Sequence, residues 1–156
     1  MADISAFPSI TKVLAFGNNQ IPMTAGEAIT AGQVVGIAAT GVSMTAVVMD
    51  ATTGETGIGV ALFSAASGAP VTVCGPGDIV YVANADDTTA IDAGSFVEQN
   101  DNAVGGTVSA VSVAATDGAT VTAHYGVIGI ALDDIAGGGT GRILIAPQSI
   151  VQANSL

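Results

Sequence analysis

Few side chains in this sequence could do chemistry. It has one cysteine, Cys74, and one histidine, His124. A nucleophilic thiolate needs a base beside it, so these two residues are the only Cys–His pair available. Cys74 ends the strand-like run Val71-Thr72-Val73-Cys74, where a cysteine is by default a small buried hydrophobe. His124 also lies in a segment that reads as strand or strand edge. Paired carboxylates occur at Asp86-Asp87 and Asp133-Asp134. Neighbours on a strand point to opposite faces, so neither pair is an acid–base couple. In a loop either could share a calcium ion, but neither has the alternating oxygen-ligand spacing of a calcium loop, and solvated turns are expected. Gly137-Gly138-Gly139-Thr140-Gly141 has the glycines of a phosphate cradle. Such a cradle needs a strand before it, a helix after it and usually a lysine. Here a strand follows and no lysine is present, so a hairpin loop is expected. Gly57-Ile58-Gly59 lacks the third glycine of a dinucleotide fingerprint. Arg142, the lone guanidinium, stands where a strand begins. It has two readings: partner of a carboxylate, within the chain or across a subunit interface, or a solvated strand-edge residue. No catalytic residue, metal site or cofactor is expected, and a two-carboxylate glycosidase is the one enzyme class this inventory leaves open.

The elements that would position such residues are built from small side chains. The 156 residues carry 13 acidic and two basic groups, Lys12 and Arg142, for a net charge of -11. Phosphate neutralisation requires Lys and Arg, so neither nucleic acid nor an anionic membrane is an expected partner. No apolar run approaches the roughly 18 residues needed to span a bilayer. The first residues lack the basic and apolar regions of a secretory signal. Positive mean hydropathy and abundant valine argue for a folded chain. About 150 residues suffice for one domain, or two very small ones, without disulfides. Small side chains bury little area each, so stability must come from close strand packing and from partner surfaces.

Apolar positions recur at period two. Pro70-Val71-Thr72-Val73, Ile79 to Ala83, Thr107 to Val113 and Arg142 to Ile145 read as strands. Turn signals separate them, among them Asn18-Asn19, Ser67-Gly68, Gly75-Pro76-Gly77 and Asp117-Gly118. An all-β fold is expected, a small β-barrel or β-sandwich. The best short helix candidates are Ser64 to Ser67 and Gln148 to Ala153. The chain also resembles itself: Ala28 to Val35 and Ala90 to Val97 share AIxAGxxV, and Gly59-Val60-Ala61-Leu62 matches Gly129-Ile130-Ala131-Leu132. Recurrent Ala-Gly turns are common in β proteins, but two motifs repeating in the same order point to internal duplication. Gly32 and Gly94 are then turn residues at positions suited to positive φ, and G-(V/I)-A-L lets two strands approach closely.

The expected organisation is an N-terminal arm over 1–24, a β-domain over 25–147 with halves at about 25–75 and 76–147, and a tail over 148–156. The arm holds Ile4, Phe7, Ile10, Lys12, Leu14 and Phe16, and residues 10–16 could form a strand. That strand either adds to the edge of a partner's sheet or pairs within its own domain as an ordinary first strand.

The order AGxxV, GVAL, Gly77-Asp78-Ile79-Val80-Tyr81-Val82, AGxxV, GIAL over Ala25 to Pro147 resembles the capsid cement, or head decoration, proteins of tailed viruses. The resemblance implies a β-barrel-like domain on the outer surface of an assembled shell in the virion. It would bridge neighbouring major capsid protein subunits, commonly as a homotrimer, with the N-terminal arm engaging the coat. The alternative is a β-sandwich adhesion or carbohydrate-binding module of a fibre or surface layer, though such modules usually set aromatic rings against sugars and aromatics are only 4 % here.

Overall fold

A computed structural model describes residues 12–38, 44–49, 57–84, 89–99, 105–111 and 122–152, with only the backbone of 122–126 and 148–152. The chain is all-β, as its period-two pattern requires. Among the described residues eleven strands follow in order: β1 Leu14–Phe16, β2 Gln20–Ala25, β3 Val34–Ile37, β4 Thr45–Val48, β5 Gly57–Ala61, β6 Pro70–Cys74, β7 Ile79–Ala83, β8 Phe96–Gln99, β9 Val108–Ala110, β10 Thr122–Ala131 and β11 Thr140–Gln152. Strands β2-β4-β3-β5-β6 close into a barrel, and β1-β7-β11-β10-β8-β9 form a six-stranded sheet.

The two sheets are two versions of one unit. Val34 pairs with Val60 and Val35 with Gly59, as Phe96 pairs with Ile130 and Val97 with Gly129. Ile37 opposes Ala46 in the first half, and Gln99 opposes Val108 in the second. Val60 faces Cys74 as Ile130 faces Leu144. The bridge Ile29–Ala65 recurs as Ile91–Ile135. The barrel closes through a parallel pair, Ala25 with Ala46. Its counterpart is one isolated parallel bridge, Asn84–Val108, which brings β9 back to the end of β7, so the second sheet curls into a barrel-like arrangement closed by that bridge alone. Asn84 is buried there and its amide donates to the carbonyls of Thr89 at 2.8 Å and Ala136 at 3.4 Å.

The shared motifs explain the shared geometry. In AIxAGxxV the glycine adopts φ +87° in both copies, Gly32 and Gly94, and its N–H donates to Ala61 in one and Ala131 in the other at 2.8 Å. The residue before it is held by a side chain from the facing turn. Ser64 Oγ accepts from Ala31 N–H at 3.0 Å, and Asp134 Oδ1 accepts from Ala93 N–H at 2.9 Å. In G-(V/I)-A-L the glycine permits close approach: a Cβ at Gly59 would fall on the Cys74 carbonyl oxygen, and one at Gly129 on that of Leu144. Met23, Ala25, Ile29, Val35, Ala46, Ala61, Val71 and Val73 fill the first barrel. A larger cluster fills the second and extends under the first through Val34, Met49, Val60 and Cys74.

Several expected boundaries meet a different geometry. The expected arm ends at residue 24, but Gln20–Ala25 is β2, which pairs with both β6 and β4 in the first barrel. The expected tail begins at residue 148, but β11 runs on to Gln152, with Thr122 opposite Gln152. Neither helix candidate forms: Ser64 to Ser67 is a turn held by Ala69 N–H to Ala66 O at 3.0 Å, and Gln148–Gln152 is strand. The first has no room for a helix because Ala65 must reach back to pair with Ile29.

Candidate interaction surface

Ile4, Phe7 and Ile10 lie outside the described residues. The described part of the expected arm is used inside the fold. Leu14 pairs with Val80 and Phe16 with Ile79, and Tyr81 N–H donates to Val13 O at 2.8 Å. Val13 is buried in the larger cluster, whereas Lys12 is exposed and Phe16 is 73 % exposed. Val13 faces in, and Leu14 is partly buried against the same cluster. Strand β1 is the terminal strand of its sheet, so one of its edges is unpaired by named strands. Beside it Lys12, Val13 and Leu14 share a cleft of about 470 Å³ with Ala31, Leu62, Phe63 and Ser64. Gly17 adopts φ +126° where the chain leaves β1, against Asp78, whose Oδ1 accepts from Asn19 N–H at 3.0 Å. Asp78 is buried, and pins the β1–β2 turn to the start of β7.

Arg142 has a carboxylate partner within the chain. Its Nε donates to Asp133 Oδ2 at 2.8 Å and its Nη2 to Oδ1 at 2.6 Å, while its backbone N–H reaches Oδ2 at 3.0 Å. Their side chains are 47 % and 29 % exposed. These hydrogen bonds to the ionised form lower the Asp133 carboxyl to about 2 and raise the guanidinium. Asp133 and Asp134 are each engaged elsewhere, on Arg142 and Ala93 N–H, rather than on one another. Asp86 and Asp87 lie outside the described residues. Among the described residues no group of three or more His, Cys, Asp or Glu could hold a metal ion.

Cys74 is fully buried at the end of β6, and burial, reinforced by the Asp78 charge, pushes its thiol up to about 11. At neutral pH it is a protonated core residue. His124 lies on β10, with Ile150 opposite it. Gly57-Ile58-Gly59 is part of β5, and the glycine run forms the β10–β11 connection, with Gly138 at φ +65°.

The outward apolar residues were not legible as a set. Phe63, Phe96, Leu132, Ile37 and Met44 are all exposed. A signal for one of them was present in the repeat: within AIxAGxxV the first half has Val34 where the second has Phe96. A larger apolar side chain at a repeated position marks a changed environment.

No protein-family model matches the sequence, and no curated protein does. Among solved structures the chain is similar to the head fiber gp8.5 N base of bacteriophage phi29, with a TM-score of 0.51 and 16 % identity. The likeness covers 84 % of this chain and 96 % of that one, and is one of fold.

Proposed function

We propose that this chain is a structural protein of a phage head, a decoration protein on the outer surface of the shell that bridges neighbouring major capsid protein subunits. In this reading it acts as a homotrimer and catalyses nothing. The observation that carries it is the shared fold with a phage head fiber base across almost the whole of both chains. The side-chain chemistry is consistent with adhesion: the lone arginine is engaged by Asp133 and the lone thiol is buried and protonated. Shell reinforcement requires many modest contacts repeated by a lattice, not a reactive centre. A strongly acidic exterior limits non-specific association before docking.

The arm is assigned a narrower part than its sequence suggests. Since β1 completes the chain's own sheet, any strand addition to the coat falls to residues before it or to the outer edge of β1. The test is to produce the epitope-tagged chain during infection and image purified virions by electron microscopy. Regular labelled density on the outer face of the head supports the assignment. Virions without the tag, from cells that contain soluble tagged protein, refute it.

A further inference from the structure

The duplicated halves meet through surfaces that each half possesses, yet among the described residues only one surface of each kind is used. In the first half the outer face of β3, β5 and β6 is covered: Val34, Val60 and Cys74 are fully buried, clustered with Met49 and with Val80, Ile128 and Ile145 of the second half. The turn at Gly106 lies over it, with Val34 N–H donating to Gly106 O and Gly106 N–H to Met49 O, both at 2.8 Å. Strand pairing places Phe96, Ile130 and Leu144 of the second half at the positions of Val34, Val60 and Cys74. These three are cross-strand neighbours on one face. Phe96 is 41 % exposed, Leu132 beside them 40 %, and Ile130 and Leu144 are half-buried.

The receiving surface is also repeated. Val80 and Ile128 correspond to Ile21 and Ile58, as the pairs Val73–Ile21 and Ile143–Val80 require. Ile21 and Ile58 line an apolar groove of about 410 Å³ with Met23, Ile37 and Met44. Gly106 corresponds to Met44, and both have positive φ, +80° and +59°. Left-handed backbone is rare for a methionine, so the turn keeps its shape in the copy where no described residue of the other half packs beneath it. Among the described residues an apolar face without a partner thus stands on one half, and the counterpart of the surface that receives such a face stands on the other.

We propose that copies of this chain associate head to tail, the β8–β10–β11 face around Phe96 of one copy seating in the Ile21–Ile58 groove of the next. The contact inside each chain is thereby repeated between chains. Because the two surfaces differ, the interface is heterologous and either closes into a ring or runs on as a filament. This deepens the self-association proposed above and does not depend on binding to a head.

Sedimentation of the full chain tests it, with Phe96→Glu on one surface and Ile37→Glu on the other. Both residues are exposed, so a far-UV spectrum and melting curve like those of the wild type are expected. Should Phe96→Glu lose its thermal transition, Leu132→Glu reads the same face. The wild type is expected to sediment as a multimer and each variant alone as a species of lower mass, its association weakened roughly thirtyfold or more, the effect of losing one interface anchor. Mixed in equal amounts, the two variants retain one intact face and one intact groove between them, and should form a one-to-one pair. A wild type that stays monomeric, a variant that keeps the wild-type mass, or a mixture that forms no pair overturns the proposal. A chain that multimerises in this way yet is absent from virions overturns the head assignment and leaves this interface standing.

Discussion

Ile135 and Gly141 offer a sharp test of how the two barrels are packed. Ile135 is fully buried, and a Cβ at Gly141 would fall on its Cγ1. The corresponding pair in the first barrel is Ala65 and Val71: Ala65 bridges Ile29 as Ile135 bridges Ile91, and Val71 opposes Met23 as Gly141 opposes Val82. The same space is filled by isoleucine against glycine in one barrel and by alanine against valine in the other. Ile135→Ala removes three carbons from a closed site and should cost about 2–5 kcal/mol. Gly141→Val drives three carbons into Ile135 and should cost about 1–3 kcal/mol or more. The double variant copies the first barrel and conserves the carbon count, so its cost should be below about 1.5 kcal/mol. The coupling between the two sites is then at least about 1.5–2 kcal/mol, large for a contacting pair. Urea unfolding of the four proteins at one pH reads it directly, since midpoints are comparable while the slope stays constant. Destabilisations that add to within about 0.5 kcal/mol would refute the reasoning.

Glycine substitutions should separate two mechanisms. Gly94 has φ +87° and open space where a Cβ would stand, so Gly94→Ala should cost only the left-handed strain, about 1–2 kcal/mol. Gly129→Ala and Gly59→Ala each put a Cβ on a backbone carbonyl of the neighbouring strand and should cost about 3 kcal/mol or more, or roughly 6–12 °C in melting temperature at this size. Equal melting of the Gly94 and Gly129 variants would remove the close-approach account. Asp133 has a carboxyl lowered to about 2 in the fold, so its contribution is present above an unfolded value near 4 and is lost as pH falls through about 2. The urea midpoint of Asp133→Asn should therefore lie below that of the wild type at pH 7 and converge with it near pH 2. A gap that does not narrow refutes the pairing. Cys74, buried with its thiol near 11, should react with a thiol reagent at pH 8 only after denaturation. Rapid stoichiometric labelling of the native chain would contradict the burial.

Legibility in the sequence followed the backbone constraint. Positions where the chain must take positive φ or bring two strands close admit little besides glycine. Gly32, Gly94, Gly59 and Gly129 therefore survive in both halves and made the duplication readable. Strands β2 and β7 are structural counterparts, yet Gln20–Ala25 and Ile79–Ala83 share no motif. A strand asks only for alternation, which many sequences satisfy. The halves are thus visible from their turns, while the first stave of the first barrel reads as arm. The Asp133–Arg142 pair was equally hidden, since nine residues of separation become contact only through the β10–β11 hairpin. The exposed apolar face could not be seen because alternation alone does not say which side of a barrel meets water.

The small-residue composition has a physical reason in this geometry. A five-stranded barrel has a narrow interior, and each stave must come close to its neighbours. Gly59 and Gly129 set that approach by giving up their side chains against a facing carbonyl. What remains inside is room for alanine, valine, isoleucine and the one slim methionine Met23, and an aromatic ring there would force the staves apart. Phe16, Phe63 and Phe96 are accordingly on the outside. A barrel so filled buries limited apolar area on its own. The first barrel gains more by covering its outer face with the second, where Val34, Val60 and Cys74 disappear from solvent. The second carries the same kind of face with larger side chains, Phe96, Ile130 and Leu144, still partly in solvent. Enlarging an exposed apolar residue gains nothing in an isolated monomer and invites non-specific association; it is favourable only where a surface of matching shape removes it from water.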